Sequence, residues 1–161
     1  MALSRRVVAE ALGTAFLLAA AVGSGIKGDK LAGGNTAIAL LANTVATGAA
    51  LITLIFAFGP ISGAHFNPAV TLSDASQGGI SWSDGLAYIA AQVLGAFVGV
   101  GVAYLMFGEA LVQVSQHVRA GGAQLFSEFI ATFGLLSVIR GCTRLRSDAV
   151  PLAVGLYITA A

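Results

Sequence analysis

The sequence predicts an all-α membrane protein organised as an inverted repeat of three transmembrane helices plus a re-entrant half-helix, with the second repeat incomplete. Three observations predict it. Of the 161 residues, 57% are hydrophobic and only 9% are charged, with a mean hydropathy of +0.90, whereas a soluble domain carries about 25% charged residues. Apolar stretches approaching the roughly 20 residues needed to cross a bilayer core recur along the chain. A glutamate motif in the first stretch returns in the fourth. This composition excludes an ordinary cytosolic enzyme and a disordered chain, and a net charge of +1 leaves no basic footprint for nucleic acid. The single cysteine, Cys142, excludes a disulfide framework or a cysteine metal cluster and reads as a packing or loop residue.

The first span is expected over about 7–26, interrupted by Glu10. Arg5 and Arg6 before an apolar run suggest a signal peptide, but a signal's apolar stretch is about 7–15 residues and ends at a small-residue cleavage site. Here the run has spanning length and contains a glutamate, so it is read as a span. Lys27, Asp29, Lys30 and Gly33-Gly34 mark a loop, and the second span covers about 35–58, stopping at Gly59-Pro60. Within it Thr36, Asn43 and Thr47 form one polar stripe, which lines either a pore or a helix contact.

The third span, about 83–107, opens at an N-cap near Ser83-Asp84. Its Gly95 and Gly99 form a small-xxx-small pair that lets backbones approach, with Gln92 one turn earlier on the same side. Glu109 to Gly122 connects to a fourth span over about 123–139, and Arg140 to Asp148 reads as a short basic loop. A fifth span opens at Val150-Pro151 and reaches Ala161 after about a dozen residues, so residues 1–161 read as one transmembrane domain cut short. With alternating spans, Arg5, Arg6, Arg140, Arg144 and Arg146 share one side, and Lys27, Lys30 and Arg119 the other. This bias places the N-terminus in the cytoplasm.

Residues 59–79 are too apolar for a free loop and too short and glycine-broken for a span. Asn67-Pro68 reads as a helix start, asparagine at N-cap and proline at the first helical position. A helix from there to about Ser76, ended by Gln77-Gly78-Gly79, would cross about half a bilayer. The segment is expected to dip in and return, with irregular backbone lining a watery cavity and a positive dipole end at its tip. An amphipathic surface helix is the alternative, disfavoured by the apolar approach to Asn67.

Ala9-Glu10-x-x-Gly13-Thr14 in the first span is echoed by Ser127-Glu128-x-x-Ala131-Thr132 in the fourth, and Leu17 and Leu135 each follow seven residues after the glutamate. Three spans separate the copies, so the second lies upside-down, the arrangement in which function sits at the repeat interface. A carboxylate in a span is costly and persists with a partner. Backbone N–H groups of the re-entrant segment are the expected donors, snorkelling to water being the alternative.

The stretch Ser62-Gly63-Ala64-His65-Phe66-Asn67-Pro68-Ala69-Val70-Thr71 resembles the first Asn-Pro-Ala signature of the major intrinsic proteins, the aquaporins and aquaglyceroporins. The glutamate motifs and Ala91-Gln92-x-x-Gly95-Ala96 are similar to motifs of that family's first, fourth and third helices. The resemblance implies a passive channel for water or small neutral solutes, a homotetramer in the lipid bilayer, with no cofactor or metal, in a bacterial inner (plasma) membrane. Carried over, Asn67 would donate its amide to the permeating molecule, Pro68 and Ala69 would set the half-helix tip, and carbonyls of Gly63, Ala64, His65 and Phe66 would form an acceptor ladder. Glu10 and Glu128 would brace re-entrant loops, and Leu17, Leu51 and Leu135 would form apolar pore wall.

Two departures qualify the resemblance. The second Asn-Pro-Ala segment, its arginine and the sixth helix are not in the sequence. Thr47 stands at the filter position where the family has a bulky aromatic, which implies a wider, more polar constriction for glycerol-like polyols or undissociated arsenite and resembles the bacterial members associated with arsenic resistance. A non-conducting fragment is one competing reading. Another is an intramembrane enzyme using Glu10, Glu128 and His65, for which no metalloprotease or paired-aspartate motif is present.

Overall fold

The structure is a computed structural model that describes residues 1–112 and 120–161. Arg119, counted above in the charge bias, lies outside the described residues. Among the described residues six α-helices follow one another: α1 Leu3–Leu31, α2 Thr36–Ser62, α3 Pro68–Ala75, α4 Trp82–Phe107, α5 Gly122–Leu145 and α6 Val150–Ala160. A single 3-10 turn, Ser147–Ala149, leads into α6. Among the described residues there is no strand, and α1, α2, α4 and α5 are long and apolar enough to cross a membrane.

Four boundaries differ from the sequence expectation, each for a local reason. The first span is longer than 7–26, because the helix carries its charged ends beyond the apolar stretch and stops only near Gly33-Gly34, both with positive φ. The second does not stop at Gly59-Pro60. Proline removes one N–H bond but α2 continues to Ser62, where Gly63 takes a left-handed φ of 89° and its N–H closes on the Gly59 carbonyl at 2.9 Å. The N-cap of α4 is Ser81 and not Ser83-Asp84, its Oγ accepting the Asp84 N–H at 3.1 Å. Finally, α5 runs to Leu145, so Arg140 and Arg144 are helical and not part of a basic loop.

The helix α1 is sandwiched between α2 and α4. Its close approach to α4 depends on the two predicted glycines: a Cβ on Gly95 would lie 3.1 Å from Ala11 Cα, and one on Gly99 would lie 3.0 Å from Ala15 Cα. Polar ties close both ends of this pair. Arg6 pairs with Asp84 at 3.0 Å at one end, and Lys30 pairs with Glu109 at 2.7 Å at the other.

A second crossing joins α2 to α6. There Gly48 and Gly155 face each other so tightly that a Cβ on either would lie 2.7 Å from the other's carbonyl oxygen. Helix α5 packs along α6, where the Tyr157 hydroxyl donates to the Ala131 carbonyl at 3.1 Å. Leu51, Ile55, Ala64, Phe66, Leu135 and Val154 form the interior cluster among these elements. Large apolar side chains such as Leu40, Leu94, Phe97 and Leu105 point outward, the arrangement of a bundle surrounded by lipid.

Candidate functional site

Between α2 and α3 the chain folds inward and not across the outside: Ala64, Phe66, Thr71 and Ala75 are all buried. Glu10 organises this turn. Fully buried on α1, its Oε1 accepts the Ser62 hydroxyl at 2.6 Å and the His65 N–H at 3.0 Å. Its Oε2 accepts the Phe66 N–H at 2.8 Å and the Gln92 amide at 2.8 Å. Four donors on one carboxylate offset the cost of placing it among apolar helices.

The backbone here is unusual. Ala64 and Phe66 have φ of 52° and 48°, left-handed values that cost a non-glycine residue about 1–3 kcal/mol. They turn the N–H groups of 64–66 toward acceptors: Ser62 Oγ for Ala64, at 3.1 Å, and Glu10 for the next two. By contrast, no protein donor among the described residues reaches the carbonyls of Gly63, Ala64, His65 or Phe66. The Phe66 ring locks the turn, standing edge-on to Phe58 with centroids 6.0 Å apart and filling the space a Cβ on Gly13 would need.

Helix α3 begins as its sequence dictates. Asn67 Oδ1 caps it, accepting from Ala69 N–H at 2.7 Å and Val70 N–H at 3.4 Å, and Pro68 takes the first position. With Oδ1 occupied, the Nδ2 of Asn67 has no hydrogen-bond partner among the described residues. Thr71, fully buried one turn later, donates to the Asn67 carbonyl at 3.2 Å and accepts from Gln92 at 3.0 Å. His65 Nδ1 lies 3.1 Å from the same hydroxyl, its Nε2 lies 3.7 Å from Asp74, and its ring meets Tyr88 edge-on at 5.4 Å.

A cavity of about 600 Å³ runs past this turn. Gly63, Ala64, His65, Phe66 and Asn67 line it on one side, and Leu17, Leu51 and Leu135 are among the apolar residues that line it elsewhere. Thr47 also lines it, whereas Asn43 turns to α1 and donates to the Ala21 carbonyl at 2.8 Å, so the polar stripe of α2 divides between cavity and helix contact. Thr36 is exposed. Pro68 and Ala69 set the start of α3 without lining the cavity, and Gln92, Gly95 and Gly99 lie on the α1-facing side of α4.

The two glutamates part company. Glu128 is exposed on α5, neither on the cavity nor among the groups that hold the 63–67 turn. Glu10, Glu128 and His65 therefore do not converge as an acid–base set.

Several residues of the site went unremarked in the sequence. Tyr88, fully buried, donates to the Ser62 carbonyl at 2.8 Å and accepts from Arg6 Nε at 2.7 Å, holding the end of α2. Spacing gives a signal for both: Arg6 stands one turn before Glu10, and Tyr88 one turn before Gln92. Arg140 NH2 donates to the carbonyl and hydroxyl of Ser73 at 3.1 and 2.6 Å, tying α5 to α3 at the cavity rim.

Comparison with known proteins agrees with this geometry. The model of the family described as major intrinsic protein matches residues 1–161. Aquaglyceroporin AqpS of Rhizobium meliloti (strain 1021) is 53% identical over 159 residues, covering 99% of this chain and 68% of that protein. Aquaporin NIP1-1 of Zea mays is 37% identical and aquaporin NIP1-1 of Oryza sativa subsp. japonica is 38% identical, each over 160 residues that cover 96% of this chain and 55% of the relative. The chain thus spans about half the length of these plant relatives. The buried Glu10 brace, the Asn67-capped half-helix and the match along the whole sequence lead to one conclusion: the chain belongs to the major intrinsic protein family, whose aquaporins and aquaglyceroporins are channels and not enzymes.

Proposed function

We propose that this chain forms the wall of a passive channel for water and small neutral solutes, with glycerol-like polyols and undissociated arsenite as its larger substrates. The observation that carries the reading is the two-faced cavity. Its lining joins residues 63–66, whose carbonyls have no protein donor among the described residues, and Asn67 to the apolar Leu17, Leu51 and Leu135. Acceptors and donors on one wall replace lost hydration, while apolar walls and a half-helix dipole oppose ions and protons. In this reading the 63–67 turn lies near mid-bilayer, Asn67 is the central hydrogen-bond donor, and Glu10 keeps the turn's carbonyls free for the solute.

Thr47 serves as a small, polar filter residue on the same wall. The protein works as a homotetramer in a bacterial inner membrane with its N-terminus in the cytoplasm, the side favoured by its arginines. The test is osmotic. Proteoliposomes carrying the native full-length protein should take up water and glycerol faster than empty vesicles in stopped-flow light scattering. Permeabilities equal to those of empty vesicles would refute the channel.

A further inference from the structure

Asn43 does not line the cavity, yet it touches Thr47, which does. Its Nδ2 donates to the Ala21 carbonyl at 2.8 Å and lies 3.4 Å from Ser24 Oγ. A carbonyl only accepts, so the amide has a single orientation, with Oδ1 turned away from α1. Thr47 Oγ1 stands 3.4 Å from that oxygen. Because Oδ1 also only accepts, the Thr47 hydroxyl proton is directed at Asn43, and its lone pairs are left for the cavity.

Thr47 differs here from Thr53, Thr143 and Thr159, which donate to the carbonyl four residues back at 2.9, 2.7 and 2.9 Å. The fold also makes room for the controlling amide, since a Cβ on Gly25 would lie 2.8 Å from Asn43 Nδ2.

We propose that Asn43 is a positioning residue for solute selectivity: it holds Thr47 as a hydrogen-bond acceptor toward the pore. The level of Thr47 then favours neutral solutes that donate several hydroxyl protons over those that donate few. This rests on the channel reading above. It adds to that reading a residue outside the pore and a chemical preference, because a solute carrying O–H groups meets acceptors at Thr47 and along 63–66 as well as the donor at Asn67.

The experiment is a double-mutant cycle in the native full-length protein, reading glycerol and water permeabilities in proteoliposomes. Asn43→Ala should lower the glycerol-to-water ratio at least threefold, as the hydroxyl swings back to its own helix. Thr47→Val should lower it similarly, and the double variant should match Thr47→Val alone. A ratio unchanged by Asn43→Ala, or lowered equally in both backgrounds, would overturn the proposal, since a purely structural tie to Ala21 acts regardless of Thr47. If Asn43→Ala does not fold, Gly25→Ala crowds the same amide without deleting a polar group. It must lower the ratio with Thr47 present and leave it unchanged with Val there, and the opposite pattern would refute the coupling. A wild-type protein that conducts while its variants keep the ratio refutes this inference alone, and a wild type that does not conduct refutes the channel reading with it.

Discussion

Glu10 on α1 and Gln92 on α4 meet at 2.8 Å in the buried interior, and the same Gln92 amide reaches Thr71 on α3 at 3.0 Å. One side chain thereby couples the acceptor that holds the 63–67 turn to the half-helix that follows it. The turn's left-handed residues and the start of α3 are fixed relative to α1 and α4, the two helices packed closest by Gly95 and Gly99.

Replacing Glu10 by Gln keeps the shape but turns one acceptor oxygen into an NH2 facing donors already aimed at it. Either the Ser62 and His65 pair or the Phe66 and Gln92 pair is then left unsatisfied. The expected loss is about 3 kcal/mol, read as a clearly lower thermal midpoint of the detergent-solubilised protein. An unchanged midpoint would mean that the turn does not depend on this carboxylate.

Asn67 has two separable tasks. Asn67→Asp retains an oxygen to cap α3 but replaces the free amide donors with an acceptor, so stability should hold while solute permeability falls at least tenfold. Asn67→Ala should lose both, with about 1 kcal/mol of stability going with the cap. Thermal melts and proteoliposome flux measured on the two variants separate the tasks, and equal flux through wild type and Asn67→Asp would remove the amide from the pathway.

Thr47→Phe fills the cavity at the level of α2 with an aromatic ring. Glycerol permeability should fall several-fold more than water permeability in the native full-length protein. A parallel fall in both would place Thr47 outside the size filter.

Gly99→Ala inserts a methyl against the Ala15 backbone, 3.0 Å from its Cα. Backbone cannot rotate away as a side chain can, so α1 and α4 must separate, at a cost of about 1–3 kcal/mol. The melting temperature checks this directly. Gly101→Ala, on the same helix but facing open space, is the control and should not lower it, since alanine favours a helix over glycine.

What the sequence made legible was local chemistry. Asn67-Pro68 announces a helix start because capping and proline's missing N–H act within a few residues, and the structure begins α3 at Pro68. Gly59-Pro60 misled for the same reason: the proline breaks one bond, whereas the stop depends on Gly63, whose positive φ is needed by the turn beyond it. The glutamate of α1 was visible as an expensive group requiring donors, and backbone N–H groups of the turn were the natural choice. Its other partners, Ser62 and Gln92, and the Arg6–Tyr88–Ser62 chain behind them, join positions separated by 26 to 82 residues. Spacing within α1 and within α4 sets Arg6 beside Glu10 and Tyr88 beside Gln92, but only the packing of α1, α2 and α4 brings the pairs together. Asn43 and Thr47 show the same limit, since one stripe on α2 serves two faces.

The crossing of Gly48 with Gly155 limits what either helix tolerates. Each glycine stands in the same relation to the other's carbonyl, 2.7 Å from where a Cβ would be, and α2 and α6 traverse the bundle in opposite senses. Beside those carbonyls the two sides differ, with Thr159 crowding the Gly48 position and Ile52 the Gly155 position. A methyl gained on either helix therefore crowds the other's backbone, and neither glycine can gain a side chain without moving the opposite helix.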